Sequence, residues 1–449
     1  MRITKKTRND PKGEKRRRSM KRKRILSVMM AMAMAAGTLG AGAGALNVEA
    51  SENQEITLMA SQNWIKDVDN ELFDKFEEET GIKVKVTLSP DNEYTTLLGT
   101  TLSGGSDAVD MFMYTAGSQM VSDGITDVAV DLSDEPWVEN MEDWAVEANS
   151  HDGSLYGFST WGIDYEGVLY NKTFFEENNL EVPTTWDEFI ALCDQIKELG
   201  VTPLYEGING TWHTQSWVYA LTPAMYAEKA DFVEYLNESK DNKFSDITAF
   251  TDGLAQIQQL LSTKDGDEPK YFTNDGQAED WMGSYTSLQN RETVMMFTYS
   301  AYVAELEANG ATDEFGMFPC PLLDNQTAVD NGGGISKFIN KNSKNIDACK
   351  QLLNFLAEDE NLETYYAART DLVTSSFKDV ESVHATSATE DILARTAEEP
   401  VTMFIKDVLY WDPDVYQYLQ GMADGSLSPE EFAANVDDYR AVMFDTAAE

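Results

Sequence analysis

Apolar positions along the chain switch between two periods. Glu55 to Ala60 is a short strand-like run, and from Trp64 to Phe76 the residues Ile65, Val68, Leu72 and Phe76 share one helical face that Gly81 closes. Ile82, Val84, Val86 and Leu88 then alternate with polar residues, as a strand does when one of its faces is solvated. Helical spacing returns over Glu93 to Leu102, runs into Gly104-Gly105, and gives way to the continuous apolar run Val109 to Tyr114, a buried strand. Repeated alternation of strand and helix predicts an α/β lobe with a mostly parallel sheet.

A second stretch opens at Val168-Leu169-Tyr170-Asn171-Lys172. Thr185 is placed to cap a helix, with Glu188 three residues on as its capping-box partner and Gly200 as its stop. Val201 to Leu204 resumes as a strand, helical periodicity covers Phe232 to Leu261 and Thr286 to Arg291, and Val294 to Phe297 is another apolar strand. Gly332-Gly333-Gly334 reads as the chain crossing between two bodies. Cys193 keeps step with Phe189 and Ile196, and Cys349 with Leu352 and Leu356, so both are expected in the core. Trp186 opens a periodic helical face and is expected to pack. Trp137 and Trp144 have no strand end to place them, and no repeat of 20 to 50 residues is visible.

Length and charge add a destination to this pattern. A chain of 449 residues exceeds one ordinary core and suits two lobes. Thirteen Lys and Arg within the first 24 residues precede the apolar, small-residue run Ile25 to Ala45, and Val48-Glu49-Ala50 offers a cleavage site before Ser51. Residues 1–50 are therefore expected to be an export signal. A retained membrane anchor is the rival, but the glycines from Gly37 to Gly44 make a poor spanning helix. Residues 51–449 hold 21 basic against 75 acidic side chains, a formal charge of −54. Such a surface repels nucleic acid and anionic envelope polymers, so no nucleic-acid partner is expected. Three cysteines, at 193, 320 and 349, are too few for a disulfide framework or a zinc cluster, and neither a cofactor nor a metal is expected.

The order of several short pieces resembles the extracellular solute-binding proteins of ABC importers, in the carbohydrate-binding group that includes maltose-binding protein. The pieces are Leu169-Tyr170-Asn171-Lys172, then Val182 to Phe189 (Val-Pro-Thr-Thr-Trp-Asp-Glu-Phe), then Gly200-Val201-Thr202-Pro203-Leu204. Phe73 to Val84 and Gly333-Gly334-Ile335-Ser336 ahead of Asn345-Ile346-Asp347-Ala348 support them, and the resemblance covers residues 54–440. It implies two α/β lobes with a periplasmic-binding-protein-like fold: residues 51–161 with 332–370, and residues 162–331 with 371–449. Crossings are expected near Trp161, Gly332 and Thr370. It further implies a monomeric, non-catalytic receptor outside the cytoplasmic membrane that delivers a sugar or oligosaccharide to membrane permease subunits. Family members in single-membrane bacteria usually carry a cysteine after the apolar stretch for lipid attachment, and this chain has none there.

A sugar shows hydroxylated edges and an apolar C–H face, so its site needs flat aromatic rings with carboxylates, amides or Arg. In open α/β sheets these come from loops at the carboxyl ends of strands. That rule selects Trp64 after the first strand, Tyr114 at the end of its run, and Trp161, Asp164 and Tyr165 at the first crossing. It adds the loop residues Trp212 and His213, then Tyr299 and Tyr302 after Val294 to Phe297, where the resemblance implies an aromatic of the second lobe; Arg369 and Asp371 sit at the third crossing that the resemblance implies. A secreted carbohydrate-cleaving enzyme is the rival of another class; it requires two carboxylates about 5 to 10 Å apart, and no catalytic motif marks such a pair. A ferric-iron receptor is the other rival, prompted by Tyr365-Tyr366, whose rings are expected on different helical faces.

Overall fold

The structure, a computed structural model, describes residues 54–102, 109–206, 212–272, 281–383 and 385–447. The expected export signal lies outside the described residues. Among the described residues no helix is long and apolar enough to cross a membrane.

The chain begins with β1 (Gln54–Ser61), α1 (Asp67–Thr80), β2 (Ile82–Ser89), α2 (Asp91–Leu102) and β3 (Met111–Thr115). Helix α1 starts where the sequence turns polar: the Asp69 carboxylate accepts the Lys66 N–H at 3.0 Å, satisfying one amide that the first turn leaves open. It ends at Gly81, whose φ of 75° needs a residue without Cβ and whose N–H donates to the Glu77 carbonyl. After the short helices α3 (Ser118–Ser122) and α4 (Asp143–Ala148), β4 (Phe158–Ser159) leads into the first crossing.

Beyond that crossing lie β5 (Tyr165–Asn171), α5 (Trp186–Glu198), β6 (Thr202–Tyr205), α6 (Phe232–Glu238), α7 (Thr248–Ser262), β7 (Thr293–Tyr299), α8 (Tyr302–Ala308), β8 (Phe315–Phe318) and β9 (Val329–Asp330). Thr185 caps α5 as expected, its hydroxyl accepting the Glu188 N–H at 3.3 Å, while the Glu188 carboxylate takes the Thr184 N–H and hydroxyl. Trp186 is buried, with its indole N–H on Gln259. The helical pattern expected over Phe232 to Leu261 is broken in two for a tertiary reason. Asp437, from the last helix, accepts the Phe244 and Ser245 N–H groups and so holds the intervening turn. The Glu228 carboxylate then takes the first free amides of α7, at Thr248 and Ala249.

The chain returns through β10 (Ile335–Ile339), α9 (Ile346–Leu356) and α10 (Asp359–Ala368), and finishes with α11 (Ser387–Arg395), β11 (Val401–Thr402), α12 (Val415–Asp424) and α13 (Pro429–Ala447). The first sheet has the order β2-β1-β3-β10-β4, and the second β11-β9-β5-β7-β6 with β8 also on β5. In each sheet one strand runs against the others: β10 in the first, β5 in the second. These are the strands that enter a body directly from a crossing.

Each sheet is packed on both faces. On the first, Ile56, Leu58, Met111 and Met113 face α1, α9 and α10, while Met59, Phe112 and Tyr114 face Tyr94, Leu98 and Met120. On the second, Val168 and Tyr170 face α5, α7 and the C-terminal helices, while Leu169, Met296 and Met317 face Tyr302 and Ile392. The first core continues through Leu372 and Phe377 to Val380 and Val383. The packing of the first body thus runs on past Thr370. The three cysteines are buried and unpaired.

Candidate functional site

The pairing registers bring the chemistry to one edge of each sheet. Thr115, at the carboxyl end of β3, pairs with Ile335, the first residue of β10. Tyr299, at the carboxyl end of β7, pairs with Glu166, at the start of β5. Loops at the carboxyl ends of both sets of parallel strands thus open onto the crossings, where residues 160–164 and 331–334 join the bodies.

A cleft of about 440 Å³ lies between the bodies there. The first body contributes Gly117 and Ser118, where β3 turns into α3, and Trp144, Glu147 and His151 from α4 and the turn after it. From the second come Ile163, Asp330, Thr402, Lys406 and Asp407, all beside the first or second crossing or in β11 and the segment after it. The bodies touch at its wall: the Ser118 hydroxyl donates to the Ile405 carbonyl at 2.7 Å, and the Tyr410 N–H donates to the Ser122 hydroxyl at 3.2 Å. Gly117, with a φ of 81°, is required at this contact, since a Cβ there would sit 2.6 Å from the Lys406 carbonyl oxygen. Gly333 likewise passes under the Trp144 ring, where a Cβ would come within 2.7 Å of it.

Charge in and beneath the cleft is tightly interlocked. Lys406 donates to the Gly333 carbonyl at 3.0 Å, and burial lowers its ammonium to about 8 against the opposing pull of Glu166, Asp330 and Asp407. Asp330 accepts the Gly332 N–H at 2.8 Å and the Thr402 hydroxyl at 3.0 Å. Below them burial pushes the Glu166 carboxyl up to about 7, with His213 and Ser216 holding it back, and its Oε2 is enclosed with no hydrogen-bond partner. His213 shares Glu206 with the Trp217 indole, at 3.1 and 2.8 Å. Burial alone would lower the imidazole, but Glu206 outweighs it and the pKa is raised.

The residues selected from the sequence fall into separate groups, and among those whose side chains are described none lines this cleft. Trp161, Arg369 and Asp371 do come together: the guanidinium lies 4.8 Å from the Trp161 ring centre and pairs with Asp371 at 2.8 Å. Because the first core runs on past Thr370, this cluster belongs to the first body's side of the passage. Asp164, Tyr165, Tyr299 and Tyr302 form a second group. Asp164 is buried and turned inward, accepting from the Ser300 hydroxyl and the Tyr165 and Ala301 amides, with burial raising it to about 6. Tyr302 is fully buried, Tyr299 meets it edge to face at 6.0 Å and donates to Glu305, and Tyr165 packs on the same core. Tyr114 is also buried and donates to Asp123. Trp64 is half-buried, edge-on to Tyr94 at 4.9 Å. His213 is buried as described, and the Trp212 side chain lies outside the described residues.

Trp144, Glu147, Lys406 and Asp407 were missed because none follows a strand that the sequence displays. Trp144 sits in a six-residue helix, and residues 401–410 carry no apolar period. The ferric-iron reading loses its basis. The Tyr365 hydroxyl takes an N–H from Arg369, that of Tyr366 is bonded to Ser376, and burial raises both phenols away from the phenolate a hard cation needs. No group of three or more His, Cys, Asp or Glu suited to a metal occurs among the described residues.

Similarity to known proteins bears on the fold and the family. The chain is 26% identical over 209 residues to the multiple sugar-binding protein of Streptococcus mutans, a stretch that spans 44% of this chain and 47% of that one. It spans less than half the length of the curated relatives it matches. The solute-binding protein RafE in complex with raffinose superposes with a TM-score of 0.69 at 18% identity, over 87% of this chain and 99% of that one. A chitin oligosaccharide binding protein does so with 0.70 at 16%, over 89% and 100%. These superpositions show the two-lobed α/β binding-protein fold. The profile of the bacterial extracellular solute-binding proteins matches residues 71–393, most of the chain, and the protein belongs to that family.

Proposed function

We propose that this protein is the extracellular substrate-binding component of an ABC importer, holding a sugar or oligosaccharide between its two bodies and presenting it to membrane permease subunits without cleaving it. The observation that carries this reading is the cleft itself, which combines an indole from one body with polar groups from both and lies where the chain crosses. An aromatic ring for a C–H face and polar groups for hydroxyls are the two elements a sugar requires. The names of the relatives, a multiple sugar-binding protein and a raffinose-bound receptor among them, support the choice of sugars.

In this reading the bodies close about the crossings at 160–164 and 331–334, the hinge mode of two-domain binding proteins. The protein acts as a monomer, exported by residues 1–50, with no nucleic-acid partner. Trp161, Arg369, Asp371, Tyr299 and Trp64 remain proposed contributors to solute contact. A thermal-shift screen against mono- and oligosaccharides, with chromatography of each incubated sugar, tests it. Stabilisation with the sugar intact is expected; released product would make the protein an enzyme.

A further inference from the structure

The side-chain groups of the cleft divide into those already engaged and those left for a solute. Ser118 is bonded to the Ile405 carbonyl, Ser150 to the Val146 carbonyl, and Asn237 to the backbone of Asp407 and Leu409. Thr402 and Asp330 bond to each other, and Lys406 donates to Gly333. Glu147 and Asp407, one from each body, line the same cleft and are exposed to it, and neither carboxylate makes a hydrogen bond or ion pair to a described residue.

The charge balance points the same way. Lys406 is the one lysine or arginine among the described lining residues, and it is surrounded by Glu166, Asp330 and Asp407. Its field is therefore spent on the protein's own acids. Partial enclosure raises Asp407 above the ordinary carboxylate range, and the charge of Glu147 adds to the rise while Lys406 opposes it, so Asp407 senses the acid of the other body. Bringing two like charges toward each other is unfavourable unless what lies between them supplies hydrogen-bond donors or positive charge.

We infer that Glu147 and Asp407 set the specificity of the cleft, which receives sugars presenting hydroxyl or ammonium donors and rejects sugars that carry a carboxylate, sulfate or phosphate. This rests on the sugar-receptor reading above. Carboxylates accept hydrogen bonds from hydroxyl and ammonium groups alike, whereas an anionic substituent would meet two carboxylates that no hydrogen bond or ion pair engages, in a protein that is itself strongly anionic.

The test is calorimetry of the purified protein with saccharides supplied in neutral, aminated and uronate forms, such as galactotriose, glucosamine trimer and trigalacturonate within a wider panel. A neutral or aminated member is expected to bind, and uronate members to bind weaker by about tenfold or more at low salt. In Glu147→Gln/Asp407→Asn the ratio of neutral to uronate affinity is expected to fall by about tenfold, with an unaltered melting profile as the control for folding. A uronate that binds as tightly as its neutral counterpart, or a ratio unmoved in the folded variant, overturns the inference. Absence of binding by every form would instead bring down the sugar-receptor reading beneath it.

Discussion

Ser118 of the first body and Ile405 of the second are joined by a 2.7 Å hydrogen bond from hydroxyl to carbonyl, beside a backbone contact that only a glycine at 117 allows. The bond exists only when the bodies are together. Ser118→Ala removes a neutral hydrogen bond of about 0.5 to 1.5 kcal/mol from the closed form. If closure traps the solute, the variant's affinity falls by about 3- to 10-fold while its melting temperature without solute stays close to the wild type. Calorimetry beside differential scanning calorimetry separates the two effects.

Lys337 and Asp69 form an ion pair inside the first body, 3.3 Å apart with both side chains 2% exposed. Removing one partner leaves a buried charge without its counter-ion. Lys337→Met is expected to destabilise the first body by about 3 to 5 kcal/mol, and adding Asp69→Asn to recover part of the loss. Urea denaturation followed by circular dichroism reads both.

Glu166 links the cleft to pH. Its carboxyl lies at about 7 in the folded protein against 4.5 for the free side chain, so the native state binds the extra proton between those values. Stability contributed by this group is present below about 4.5 and falls as pH rises through about 7. Glu166→Gln does not titrate. Its melting temperature relative to wild type is expected to climb from pH 5 to pH 8 and level off above; a constant difference would show that the carboxyl ionises normally.

Much of the architecture was legible because its signals are local. Gly81 and Thr185 end and start helices by their own backbone demands, and the alternation from Ile82 to Leu88 follows from a strand with one wetter face. Where distant parts intervene, the local reading failed. Asp437 breaks a helical pattern almost two hundred residues away, and packing of Phe377 and Val383 carries the first core on past Thr370. The rule that carboxyl ends of strands face the site points to the sheet edges that open onto the crossings. It could not tell an inward residue such as Asp164 or Tyr302 from one lining open space, because that depends on which side chains Ser300 and Tyr285 present to them. Trp144 and Lys406 reach the cleft from segments whose position is set by tertiary contacts, with Gly333 beneath both.

The central claim is that a solute binds between the bodies against Trp144. Titrating the saccharide panel by calorimetry into the wild type and into Trp144→Ala tests it most directly. The account predicts one solute per chain for the wild type, an affinity lower by about tenfold or more in the variant, and little change in melting temperature without solute. A saccharide that binds both proteins with equal affinity would contradict it.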